Sequence, residues 1–225
     1  MSGRGAPSRG EYPMVEYLLF DVDNTLYPTS SGLLQQVDAR INRYMAEKAG
    51  VAAEAVDAER EAYRGRFGTT LKGLMVEYGI DPEEYLQYVH DVPVEQLIEP
   101  NVKLDQALGQ IPAAKAVFTN GPIEYSSRIL QALGVSRHFS HFFDVRFLGF
   151  RGKPSPAAYE MVLGTLGAAP DACALVEDSL RNLRPAKSLG MRTVLVGDNS
   201  ADWVDACISE ISQINEVGFL RQRAD

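Results

Sequence analysis

Cysteine is scarce in this chain. Its 225 residues include two, Cys173 in "ACALVED" and Cys207 in "VDACIS". Two are too few for a disulfide-stapled scaffold, and both lie in apolar runs, so two reduced core thiols are expected. Long hydrophobic runs are also missing, and none reaches the length of a membrane helix. Positive charge is in deficit: 22 Lys and Arg face 30 Asp and Glu, a net charge of -8. That balance argues against nucleic-acid polymers and anionic membranes as main partners. A small anionic substrate would need a local positive site, such as a metal ion. There is no internal repeat. The start, "MSGRGAPSRG", lacks the apolar middle of a signal peptide. Residues 1–12 are expected to be a disordered leader, and the cytoplasm is the expected location. The composition itself is ordinary for a globular protein, 45% apolar and 23% charged. The length suits one large domain or a core with an inserted smaller one, as a monomer or a homodimer.

The texture of the chain changes along its length. "VEYLLFD" (15–21) is a short apolar run ending at an acid, the pattern of a buried strand. From 30 to 98 the periodicity is helical. Leu33, Leu34, Val37, Ile41, Tyr44 and Met45 share one helix face, and "DPEEYLQYVHD" opens with an Asp cap and Pro at the first turn. Beyond that segment, strands and helices alternate. Strands are expected at "AKAVFTNG" (114–121), around 142–148, at "ACALVED" (172–178), at "RTVLVG" (192–197) and at "VDACI" (204–208). Helices lie between them, among them "SPAAYEMVLGTLG" with a Ser cap and a last one in "SEISQINEV". Such alternation gives an α/β fold, a doubly wound parallel sheet of Rossmann-like type. The α/β core is expected over 13–29 and 99–225, with an inserted helical cap over 30–98.

Ligands of such sheets lie beyond the carboxyl ends of the strands. Those ends read "DVDNT", "TNG" and "ED". Asp21 and Asp23 are two apart, so both can face one side, where they repel unless a cation relieves them. Mg²⁺ suits such hard oxygen ligands. An EF-hand loop does not fit, because Thr25 and Leu26 stand where an acid and then Gly belong, and Gly32 stands where the bidentate Glu belongs. A plain Asp-rich turn is the bland alternative for this motif alone. Glu177 and Asp178 end another strand and can complete an oxygen shell, although helix capping also explains acids there. Thr119 and Asn120 offer a hydroxyl and a strand-to-helix turn for a phosphate, against the simpler Asn-Gly turn. Lys153, before "PSP", is either a fixed ammonium or an ordinary loop lysine. Together they form a kit for phosphoryl transfer to aspartate.

"DVDNTLYP", "FTNG", "KPSP" and "EDSLRN" resemble the four motifs of the haloacid dehalogenase-like superfamily. The resemblance implies that Asp21 is the nucleophile and Asp23 the general acid/base, whose backbone carbonyl also ligates Mg²⁺. It implies a phosphate-binding pair in Thr119 and Lys153, metal ligation by Asp21, Asp23, Asp178 and Glu177, and support of the acidic loop by Asn182. Dehalogenases of the superfamily lack the second acid, so Asp23 favours a phosphatase; a mutase shares the motifs. "FDVDNTLYP", "YRGRFGTTLKGL" and "DSLRNLRPAK" look like the pyrimidine 5′-nucleotidase branch, with Tyr125 where that branch commonly has His.

The expected activity is a Mg²⁺-dependent phosphomonoesterase acting on pyrimidine nucleoside 5′-monophosphates. A phosphatase of a small metabolite, such as a sugar phosphate or phosphoglycolate, is the second possibility. A catalytically idle binding protein on the same fold is the third. Asn24, Asn120, Tyr27, Arg64 and Phe67 are candidate substrate contacts, and Tyr63, Arg66 and Thr70 could serve either substrate. For the cap residues, packing and surface charge are the simpler explanation.

Overall fold

The computed structural model describes residues 14–221, so the leader expected at 1–12 lies outside the described residues. Strand β1 (Tyr17–Phe20) is followed by six helices: α1 (Leu33–Glu47), α2 (Val56–Phe67), α3 (Thr70–Glu77), α4 (Pro82–Val89), α5 (Val94–Leu97) and α6 (Val102–Gly109). The alternating part then runs β2 (Ala114–Phe118), α7 (Ile123–Leu133), β3 (Phe139–Phe143), α8 (Pro156–Leu166), β4 (Cys173–Glu177), α9 (Leu180–Leu189), β5 (Arg192–Val196) and β6 (Ala206–Ile208). The strands form one parallel sheet in the order β3-β2-β1-β4-β5-β6. This is an α/β Rossmann-like fold. The chain winds outward from β1 through β2 to β3, then returns to β4 on the other side of β1. The order reverses there, and sheets of this kind take their ligands outside the carboxyl ends of the strands at such a point.

Alternation along the strands sorts the core into two layers. Leu18 and Phe20 of β1 join Val117, Ala174, Val176 and Val194 on one face, under α6 and α7. Leu19 joins Ala116, Phe118, Leu175 and Leu195 on the other, under α8 and α9. Each large apolar side chain so buried contributes about 1.5–3 kcal/mol. The helices α1 to α4 hold a third cluster of their own, built from Tyr44, Met45, Val56, Tyr63, Leu74, Tyr85 and Leu86. Between residues 30 and 98 the described structure contains helices and no strand. Val92, Val94 and Ile98, at the end of that stretch, pack with the sheet rather than with the helical cluster.

Local signals explain most boundaries. Asp81 caps α4 by accepting from the Glu83 N–H at 2.9 Å, with Pro82 in the first turn. Gly134 ends α7 at φ 76°, a left-handed position that suits a residue without Cβ. Several expectations need correction. The strand expected around 142–148 is Phe139–Phe143, because the Asp144 carboxylate accepts from the Phe147 and Ile123 N–H groups and turns the chain. Strand 204–208 shortens to Ala206–Ile208, since Asp205 is taken up by Thr193 and Lys187. Ser155 stands at the start of α8, but its side chain makes no capping bond. The segment in "SEISQINEV" is a 3₁₀ helix, Ile211–Glu216. Cys173 is buried as expected, whereas Cys207 is exposed because it faces outward on the edge strand.

Candidate active site

The register brings three strand ends into one row. Phe20 pairs with Val117 of β2 and with Val176 of β4. Asp21 after β1 and Glu177 at the end of β4 therefore stand level, with Asp178 next, and Thr119 follows β2 one position further along. The Asp21 N–H donates to the Val176 carbonyl at 3.0 Å, which fixes the turn.

Lys153 reaches into this row from the loop before α8. Its ammonium donates to Asp21 Oδ1 and to Glu177 Oε2, each at 2.7 Å. It is only 1% exposed, so it is a buried cation and not the solvated loop lysine that a lone Lys suggests. Asn120 fixes the loop: its Oδ1 accepts from the Lys153 N–H at 2.7 Å and its Nδ2 donates to the Lys153 carbonyl at 2.9 Å. Gly152 makes that approach possible, because a Cβ there would stand 2.6 Å from Asn120 Oδ1. Both ends of the Asn120 side-chain amide are thus committed to the lysine loop. Thr25 closes the other side. Its hydroxyl donates to Asp21 Oδ2 at 3.1 Å and accepts from the Asp178 N–H at 3.1 Å.

Burial without water makes these charges expensive unless they are compensated. Burial, with Glu177 beside it, raises the Asp21 pKa to about 6 in spite of Lys153. Burial raises Glu177 to about 7, with Lys153 pulling down and Asp178 pushing up. Asp178 is raised as well, chiefly by burial. For Lys153 burial works against the charge, but Asp21 and Glu177 overcome it and hold the ammonium above its ordinary range. One carboxylate oxygen from each of Asp21, Glu177 and Asp178 lies within 4.8 Å of the others. Three carboxylates against one ammonium leave two uncompensated negative charges when all are ionised. A hard divalent cation such as Mg²⁺ fits that donor set in charge and in ligand chemistry.

A family model for haloacid dehalogenase-like hydrolases matches residues 15–190. The chain belongs to this family. Among curated relatives, it is 25% identical over 198 residues to "Phosphate metabolism protein 8" of Saccharomyces cerevisiae, covering 81% of this chain and 62% of that protein. The chain thus spans under two thirds of that relative's length. It is also 25% identical over 201 residues to a phosphoglycolate phosphatase of Pectobacterium atrosepticum, covering 82% of this chain and 81% of the relative. Among solved structures, a HAD phosphatase from Thermococcus onnurineus superposes with a TM-score of 0.61 at 20% identity, covering 92% of this chain and 100% of the other. That likeness bears on the fold.

In this family member the second acid of the first motif stands apart from the first. Asp23 Oδ1 accepts from two phenols, Tyr27 at 2.5 Å and Tyr125 at 2.9 Å. Its side chain is not among the carboxylates gathered around the candidate cation position. Burial and the charge of Asp21 raise its pKa to about 6, against the pull of the two phenols. Tyr27 was a candidate substrate contact, but its hydroxyl is occupied by Asp23. Thr119 is buried, and its Oγ1 accepts from the Gly121 N–H at 3.0 Å, which leaves its own hydroxyl proton free to donate. Asn24 adopts φ 57°, and its buried Oδ1 has no partner among the described residues. Asn182 lies in the first turn of α9: its carbonyl accepts from Tyr159 at 2.6 Å and its N–H donates to the Ser179 carbonyl.

The Arg64 guanidinium bonds Glu61 on its own helix at 2.7 Å and is partly exposed. Phe67 packs beside Tyr63 and under Arg66. Tyr63 is buried in the helical cluster over Gly73, and Thr70 is buried too. Arg66 pairs with Glu77. The two regions touch at several points: Arg181 of α9 donates to the Arg64 carbonyl, and the His90 ring packs at a tilt against Tyr125 with ring centroids 4.7 Å apart. Sequence reasoning missed His90 and noted Tyr125 only as a departure from a common His. The one signal was the spacing of Tyr27 four residues after Asp23.

Proposed function

We propose that the chain is a Mg²⁺-dependent phosphomonoesterase that works through an aspartyl-phosphate intermediate on a small phosphorylated metabolite. The observation that carries this reading is the buried Lys153 joining Asp21 to Glu177 at the edge of a three-carboxylate cluster, with Asp23 held separately two residues on. An oxygen of Asp21 forms a bond to phosphorus as the ester P–O bond breaks, and the electron pair stays on the leaving oxygen. Asp23 gives that oxygen a proton. In the second half, Asp23 takes a proton from water as the water oxygen bonds to phosphorus and the Asp21–phosphorus bond breaks. Inorganic phosphate and both carboxyl groups are returned to their starting states. Lys153 steadies the nucleophile and the transferring oxygens, and Thr119 donates its free proton to the phosphoryl group. Asp21, Glu177 and Asp178, with the Asp23 carbonyl, would hold the cation, which when bound neutralises charge on the phosphoryl oxygens.

Within this class, nucleoside 5′-monophosphates with a pyrimidine base are the first reading, supported by the resemblance of "YRGRFGTTLKGL". Sugar phosphates and phosphoglycolate are the second. The burial of Tyr63, which removes one candidate for stacking a base, favours them. The test is phosphate release with Mg²⁺ across nucleotides, sugar phosphates and phosphoglycolate. Turnover that is lost in Asp21→Asn is expected; full activity in Asp21→Asn, or no hydrolysis of any ester, would overturn the proposal.

A further inference from the structure

The geometry points to Tyr125, together with Tyr27, as a positioning residue that aims the proton-transfer oxygen of Asp23, with His90 bracing Tyr125 from the helical segment. This inference rests on the phosphomonoesterase reading above.

Both phenols donate to the same oxygen, Asp23 Oδ1, and their own hydroxyls are 3.4 Å apart. A carboxylate held by one oxygen at two points cannot turn about its Cβ–Cγ bond without losing both bonds. The second oxygen, Oδ2, has no hydrogen bond among the described residues, and Asp23 keeps part of its surface open while both tyrosines are buried. Oδ2 is therefore the oxygen left to give and take the proton, and its direction is set by the phenols. The two donors come from separate elements, the turn after β1 and the first turn of α7, 98 residues apart. Neither can shift without the other resisting.

Tyr125 is in turn held from the far side. The His90 ring lies against it at 4.7 Å and a 47° tilt, where α4 ends. His90 Nδ1 is 2.9 Å from the Leu86 carbonyl, which as an acceptor places the proton on Nδ1 and fixes the ring. A contact from the helical segment thus reaches Asp23 through one intervening phenol.

General acid catalysis matters most when the leaving oxygen is a poor one. An alkoxide leaving from an alkyl phosphate needs the proton, whereas p-nitrophenolate leaves p-nitrophenyl phosphate without it. The experiment compares kcat/KM for these two esters, with Mg²⁺, in the wild type, Tyr125→Phe, Tyr27→Phe and His90→Ala, because kcat/KM reports formation of the phosphoenzyme. Each Phe variant keeps the ring and removes only the hydroxyl. A loss of about 10–100-fold on the alkyl ester is expected in Tyr125→Phe and Tyr27→Phe, smaller than the roughly 10²–10⁴-fold a general acid contributes because Asp23 itself remains, with a loss under about 3-fold on p-nitrophenyl phosphate. His90→Ala is expected to show the same selectivity at smaller size. Equal losses on both esters, or none, would overturn the positioning role while leaving the phosphatase intact. No turnover of either ester by the wild type would overturn both.

Discussion

The strand-end site and the end of α2, where the candidate contacts of the helical segment lie, treat their polar groups in opposite ways. At the strand ends, Asp21, Lys153 and Glu177 are buried and joined to one another, and Asn120, Thr25, Tyr27 and Tyr125 are each committed to holding one of the acids or the lysine. In the helical segment, Arg64 and Arg66 sit at the surface with ordinary ion-pair partners, and the aromatic Tyr63 serves the packing. Buried charges are retained at a cost in stability, so they mark where chemistry is done. Exposed pairs contribute little and mark nothing in particular.

This contrast can be broken by substitution, and the largest effect is expected at the centre of the site. Lys153→Met should leave two buried carboxylates without their cation and lower the unfolding free energy by about 3–5 kcal/mol, measured by urea titration at pH 7. A change under 1 kcal/mol would show that the lysine is better solvated than its burial implies. In the helical segment the sensitive point is packing. Gly73→Val puts a branched side chain where a Cβ alone would stand 2.3 Å from the Tyr63 ring. A loss of about 2–3 kcal/mol is expected from overpacking, again by denaturant titration.

His90 sharpens the boundary between the two regions. Burial, with Arg146 nearby, lowers its pKa from 6.5 to about 4. The charged ring is thus disfavoured in the folded state. Its contribution is whole above pH 6.5 and is lost as pH falls towards 4, a penalty of about 1–3 kcal/mol. The difference in stability between wild type and His90→Gln should shift in favour of the variant over that interval. A constant difference would mean that the ring is open to water. The smallest effect is expected at Arg64→Ala: less than about 0.5 kcal/mol in stability and an unchanged kcat/KM. A large rise in KM would return Arg64 to the substrate contacts.

The strand-end acids were legible because each closes a short apolar run, and the register of a parallel sheet then brings such ends together. Lys153 was legible as a type of residue in a stiff loop; its burial was not, since that depends on Asn120 and on the room left at Gly152. Tyr125 on Asp23 was not legible, because it comes from an element 102 residues away. Periodicity marks which face of α7 is apolar, and Tyr125 fits that face without revealing its hydroxyl partner. Cys207 misled for a related reason: an apolar run at a sheet edge looks the same in sequence as one in the middle.

The central claim is that Asp21 carries the phosphoryl group. Rapid acid quench during turnover with Mg²⁺, followed by peptide mass mapping, tests it most directly. A phosphoryl adduct on the peptide containing Asp21, absent in Asp21→Asn, is the expected result. Mg²⁺-dependent turnover with no adduct at any time point, undiminished in Asp21→Asn, would contradict it.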